Sequence, residues 1–163
     1  MKLSVTLLAM FLTVLGTKGN CQNNGNKAAW EAADLIVKNM VEPTFPDKVY
    51  NIVDFGAVAD GKTKNTSAID AAIIKCSSEG GGQVLITNGK FLTGPIHLKS
   101  NVNLHIDASA VLMFSTEPTD YLPVVRTRWE GDDCYNYSPL IYADGQTNIA
   151  VTGKGTLDGQ GSS

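Results

Sequence analysis

From Gln83 onward the chain is cut into apolar segments of three to five residues, each closed by a turn, and this rhythm constrains the fold more than any other feature. Val84 to Thr87, Phe91 to Thr93, Ile96 to Leu98, Val102 to Ile106 and Val111 to Phe114 are separated by Asn88-Gly89, Gly94-Pro95, Ser100-Asn101 and Asp107-Ala108-Ser109. Segments this short, bounded by turn residues, read as strands. A polar stretch from Thr116 to Ser138 interrupts the series, which resumes at Leu140 to Ala143, Asn148 to Thr152 and Thr156 to Leu157. Ser100-Asn101-Val102-Asn103-Leu104 is echoed by Thr147-Asn148-Ile149-Ala150-Val151, 47 residues later. The polar stretch supplies 23 of those residues, and the remaining 24 suit one turn of a β-solenoid. Alternation alone equally allows a β-sandwich.

The segment upstream favours the solenoid. Ile69, Ala72, Ile73 and Cys76 fall at i, i+3, i+4 and i+7, which predicts a helix over Ser67 to Ser78. Asn65 or Thr66 is placed to cap it, and Gly80-Gly81-Gly82 to end it. An amphipathic helix just before a strand stack can cover the stack's open first coil. Cys76 then reads as a small buried hydrophobe. Tyr50 to Phe55 reads as a strand, and Gly56 to Thr66 as a polar turn. Ala28 to Val41 reads as an earlier helix with Trp30, Ala33, Val37 and Met40 on one packing face, stopped by Pro43 and Pro46.

The start has a secretory layout. Lys2 precedes a mostly apolar run from Leu3 to Leu15, followed by Gly16-Thr17-Lys18-Gly19. The organisation expected is a signal peptide over residues 1–20, a helical lead-in over 21–49, and the first coils of a β-helix over 50–163, truncated at the C-terminus. Localisation follows: secreted, and in a bacterium periplasmic or associated with the outer membrane or cell surface. Cys21 is a candidate for lipidation and a membrane tether, although Asn20 stands where the lipoprotein pattern has a small residue. Ordinary cleavage near Gly19 is the other reading. Without residues 1–19 the chain keeps 11 basic against 16 acidic residues, so there is no basic field for nucleic acid. Cys76 and Cys134 are left as two thiols that could pair in an oxidising compartment. His97 and His105 form no ligand cluster with them, and no metal or cofactor is expected.

Asp54-Phe55-Gly56-Ala57, Asp60-Gly61, Asn65-Thr66 and Gly80-Gly81-Gly82 together resemble the opening of right-handed parallel β-helix proteins of the pectinase (pectin-lyase-like) type. Gly94 to Val102 is similar to an early coil of polygalacturonases, glycoside hydrolase family 28. Tyr137 to Ala143 and Gly153 to Gly161 are similar to later stretches of the same family. The resemblance implies an all-β parallel β-helix with a capping helix. It implies inverting hydrolysis of α-1,4-galacturonosidic bonds in pectin, with polygalacturonate as partner; an oligomer is not expected. An inverting glycosidase needs one carboxylic acid for the leaving oxygen and carboxylate help for a water on the opposite face. The family places its aspartates in an Asn-Thr-Asp and an Asp-Asp motif, supported by Gly-His-Gly and Arg-Ile-Lys, all after the Gly-rich coil. The present sequence contains no Asn-Thr-Asp, Gly-His-Gly or Arg-Ile-Lys. The expectation is therefore an N-terminal fragment that is inactive alone, with no catalytic residue among the 163.

Asp132-Asp133 imitates the Asp-Asp motif, but it precedes the Gly-rich coil and lacks the partner motif upstream. We read it as a solvated loop pair. The same stretch holds Arg126, Arg128, Trp129 and Glu130. A guanidinium fork matches a carboxylate, and an indole offers a flat face to a sugar ring. These four are the candidate substrate-binding residues, on an insertion expected to flank the cleft; the alternative is surface charges with Trp129 pinning the loop. His97 and His105 read as structural strand residues. Two other functions fit the same fold: a carbohydrate-binding β-helix without catalysis, and a pectate-lyase-like polysaccharide lyase.

Overall fold

The computed structural model describes residues 24–161. The proposed signal peptide and Cys21 lie outside the described residues. The chain divides into two compact units at Val41 and Glu42. The first contains helix α1 (Asn24–Asn39), which starts earlier than the apolar spacing suggests. Its expected packing stripe is not buried: Trp30, Val37 and Met40 are exposed.

The second unit is a stack of coils. Strands β1 (Val49–Asn51), β3 (Gly82–Ile86), β6 (Val102–Ile106) and β11 (Ala150–Gly153) form one parallel sheet. Strands β2 (Asp60–Lys64), β4 (Gly89–Thr93), β7 (Ala110–Phe114) and β12 (Thr156–Asp158) form a second. A short third sheet pairs β5 (Ile96–His97) with β10 (Ile141–Tyr142). The chain visits the three sheets in turn, each return one step along the stack, which is a parallel β-helix. β3 and β6 pair Gly82 with Val102, and β4 and β7 pair Gly89 with Ala110, so an uninterrupted coil takes 20 or 21 residues, fewer than the 24 expected. The next step pairs Asn103 with Ala150 and Leu104 with Val151, the 47-residue offset legible in the sequence.

Because alternate strand residues face alternate sides, register stacks like side chains inside. Val84 and Leu104 form one column, Phe91 and Leu112 a second, and all four are fully buried. Ile96 is fully buried as well and sits beside Ile141. Each such side chain contributes roughly 1.5–3 kcal/mol by leaving water. Helix α2 (Thr66–Ser78) occupies the third-sheet position of the first coil and packs on β3 and β5. Ile69, Ala72, Ile73 and Cys76 are its buried face, so it closes the interior as the spacing predicts. Burial pushes the Cys76 thiol up to about 11. Cys76 and Cys134 are both free thiols and do not pair.

Three local expectations change. The strand foreseen over Tyr50 to Phe55 stops at Asn51, whose side chain accepts from Val53 N and starts a 3-10 turn over Ile52–Phe55. The polar turn after it contains β2, whose side chains are mostly exposed and so leave no apolar alternation. Asn65 precedes α2 but its side chain makes no helix cap. The buried amide instead accepts from Val58 N and donates to the carbonyls of Val58, Thr63 and Leu92, tying the first coil to the second.

The echoed asparagines have a backbone reason. Gly81, Asn101 and Asn148 occupy equivalent positions in successive coils, all left-handed, with φ of 103°, 65° and 52°. Asn148 Nδ2 donates to Asn101 Oδ1 at 3.0 Å. A Cβ on Gly81 would lie 2.5 Å from Asn101 O, so that position admits only glycine.

Candidate functional site

The polar insertion leaves the stack at Ser115 and rejoins it at Ser138. Ser115 N donates to Thr93 O at 2.7 Å, and Tyr121 Oη donates to Ser115 O at 2.7 Å. A 3-10 turn over Pro118–Tyr121 carries Asp120, whose carboxylate accepts from Lys64 and from Ser115 Oγ. These bonds hold the Asp120 carboxyl below its ordinary value, with Lys64 the larger influence. At the return, Ser138 N donates to Tyr121 O at 3.0 Å, so the two feet of the insertion are bonded to each other. Ser138 Oγ donates its one proton to Pro139 O at 3.0 Å and lies 2.9 Å from His97 Nε2. This contact ties the His97 imidazole to the foot of the insertion. His105, on the outer side of β6, lies 2.8 Å from Thr152 Oγ1 on β11, a side-chain contact between neighbouring coils.

Between its feet the insertion is an antiparallel hairpin of β8 (Val125–Trp129) and β9 (Asp132–Asn136). Glu130 and Gly131 make the turn, both with positive φ, as a two-residue hairpin turn requires. Register sorts the candidate residues. Arg126 faces Tyr135 and Arg128 faces Asp133 across the pair, so these four share one side. Trp129 faces Asp132, and Thr127 faces Cys134, on the other. The four candidates are therefore not one constellation: the arginines and Trp129 are on opposite faces, with Glu130 at the tip. Asp132 and Asp133 are adjacent in sequence but project oppositely, so they cannot serve as one acid–base pair.

The arginine face borders the third sheet. Tyr142 Oη donates to Arg126 O at 2.7 Å, and Tyr142 stacks obliquely on His97 with ring centroids 5.3 Å apart. Between hairpin and sheet is an open concavity of about 340 Å³, lined by Arg126, Arg128, Asp133, Tyr142 and Asp144 among others. Arg126 Nη2 lies 2.7 Å from Asp133 Oδ2, and this hydrogen-bonded pairing raises the guanidinium above its ordinary value. Arg128 Nε donates to Gly131 O at 2.8 Å, and the guanidinium has no salt-bridge partner among the described residues. Such a site can present a fixed cation to a sugar carboxylate, with Asp133 as the competing internal anion. A smaller cavity of about 230 Å³ at the feet of the insertion is lined by Asp70, His97, Asp120 and Ser138 among others. Burial there pushes the Asp70 carboxyl up. No group of three or more His, Cys, Asp or Glu among the described residues is placed to hold a metal.

The three parallel ladders, the helix closing one end and the hairpin on one coil define a parallel β-helix, and its likeness to solved exopolygalacturonases makes it the right-handed form of the pectinase type. The family model for rhamnogalacturonase A/epimerase, pectate lyase-like, matches residues 49–116. A probable polygalacturonase of Vitis vinifera is 38% identical over 120 residues, covering 68% of this chain and 24% of that protein. The solved exopolygalacturonase of Thermotoga maritima is 46% identical, with a TM-score of 0.77 over 81% of this chain and 29% of that one. The family 28 exopolygalacturonase of Yersinia enterocolitica is 35% identical, with a TM-score of 0.64 over 71% of this chain and 21% of its own. The chain belongs to the polygalacturonase family, glycoside hydrolase family 28, and it spans about a quarter of the length of these relatives.

Proposed function

We propose that the protein carrying this domain hydrolyses α-1,4-galacturonosidic bonds of pectin with inversion. The observation that carries the proposal is the agreement of fold and sequence with an exopolygalacturonase over 81% of the chain. Both solved relatives are exo-acting by name, which favours release from chain ends. Inversion places an acid and a base on opposite faces of the sugar, about 6.5–9.5 Å apart. Residues 1–163 contain no Asn-Thr-Asp, and their one Asp-Asp, Asp132-Asp133, precedes the Gly-rich coil. On this reading the present region is the scaffold, and its hairpin is one wall of the substrate cleft. Arg126 and Arg128 receive galacturonate carboxylates there, the substrate replacing Asp133 as partner of Arg126. Residues 1–20 direct secretion, and Cys21 is the residue a lipid anchor would use.

Reducing-end release from polygalacturonate tests the reaction. The 163 residues alone are expected to release none. A polypeptide that also contains Asn-Thr-Asp and a second Asp-Asp is expected to release reducing ends without unsaturated, ultraviolet-absorbing product. Unsaturated product would make the enzyme a lyase. In that active polypeptide, Arg126→Ala with Arg128→Ala should raise KM for polygalacturonate about tenfold or more, the loss of one or two charge-assisted hydrogen bonds. An unchanged KM removes the arginines from the cleft.

A further inference from the structure

The face of the hairpin opposite the arginines forms a second surface of different chemistry. A concavity of about 400 Å³ there is lined by Trp129, Glu130, Asp132, Cys134 and Asn136, with Tyr135 contributing from the neighbouring position. Trp129 is 69% exposed, a large apolar ring held in water at the last residue pair before the turn. Its partner across the strands is Asp132, and Asn136 lies on the same side by register. Neither Glu130 nor Asp132 has a salt-bridge partner among the described residues.

These groups select a ligand by charge. An exposed indole stacks on the C–H face of a pyranose. Ionised carboxylates accept hydrogen bonds only, and an amide both donates and accepts, so Glu130, Asp132 and Asn136 match the hydroxyls of a sugar. A uronate would bring its own carboxylate against two uncompensated negative charges, with no cation among the described residues that line this face. We propose that this face binds a neutral pyranose chain, one without carboxylates, while the arginine face opposite is the uronate side. The inference does not depend on the uronate reading: each face can fail its own test independently.

The chain has two tryptophans, Trp30 and Trp129, so Trp30→Phe leaves Trp129 as the single fluorescent reporter. The full chain with that substitution is titrated with galactotetraose as neutral probe and with tetragalacturonate as its acidic counterpart, at low and high salt. A saturable change in emission with galactotetraose, insensitive to salt and to Arg126→Ala, is expected. Tetragalacturonate is expected to bind this face at least about tenfold more weakly at low salt, and Glu130→Gln with Asp132→Asn to remove most of that difference. Saturation-transfer NMR on galactotetraose gives a second readout, lost in Trp129→Ala while the circular dichroism is retained. Absence of saturation transfer to galactotetraose overturns the proposal. So does equal low-salt response to the two sugars, or discrimination that survives the double carboxylate substitution.

Discussion

Replacing Asn101 by alanine separates two contributions that the coil turn combines. Asn101 is left-handed at φ 65°, its N–H donates to Thr147 O, its carbonyl accepts from Gly82 N, and its side-chain oxygen accepts from Asn148. Alanine keeps both backbone bonds but brings a Cβ into a conformation that costs an ordinary L-residue about 1–2 kcal/mol. It also removes the side-chain acceptor, worth about 1 kcal/mol net. The expected loss for Asn101→Ala is thus about 2–3 kcal/mol. Glycine carries no left-handed penalty, so Asn101→Gly should lose only about 1 kcal/mol, the bond plus a few tenths for the more flexible unfolded chain. Urea unfolding followed by circular dichroism reads the difference. With a slope of about 1–3 kcal/mol/M, the alanine variant should unfold about 0.7–3 M earlier than the parent, and the glycine variant in between. Equal midpoints for the two variants would refute the backbone argument and leave the side-chain bond as the whole effect.

Two further outcomes follow from ionisable groups. The Asp60 carboxyl is held at about 2 by the N–H groups of Thr63 and Lys62 and by the Thr63 hydroxyl. A folded value below the unfolded one contributes stability above about pH 4 that is lost as pH falls toward 2. Asp60→Asn should therefore unfold earlier in urea than the parent at pH 7, with the gap closing by pH 2; a gap independent of pH contradicts the assignment. In a Cys21→Ser chain at pH 8, a thiol reagent should modify Cys134 in the native state and Cys76 only after denaturation, because burial raises the Cys76 thiol to about 11. Rapid native modification of both would mean that α2 does not seal the interior.

The parts of the fold legible in the sequence are those where burial dictates residue type. The α2 positions Ile69, Ala72, Ile73 and Cys76 are all buried as spaced, and β6 has the foreseen limits, Val102 to Ile106. The echo at 47 residues was structural because Asn101 and Asn148 meet the same left-handed turn. The parts not legible are those facing water on both sides. β2 carries the sequence Asp60-Gly61-Lys62-Thr63-Lys64, and its pairing with β4 rests on the backbone. The hairpin strands are similarly exposed, so Arg126, Arg128, Trp129 and Glu130 read as one cluster. The Glu130-Gly131 turn is the signal that sets the parity of the strands and separates Trp129 from the arginines. Asn65 follows the same logic: its place before α2 suits a cap, but its ties are to Leu92 of β4 and to Val58 and Thr63, which periodicity cannot reveal.

The coil containing the hairpin closes on the same columns as the coil without it. One return takes 20 residues and the next takes 47, yet Val84, Leu104 and Val151 stay in line. The detour begins at Ser115 and ends at Ser138, and Tyr121 bridges both by its hydroxyl and its carbonyl. Loop-closure entropy rises only slowly with length, so the stack resists little when the excursion grows or shrinks outside that clasp. The hairpin is thus an exchangeable part: its contents can be rewritten, lengthened or replaced while the frame that presents it keeps its register.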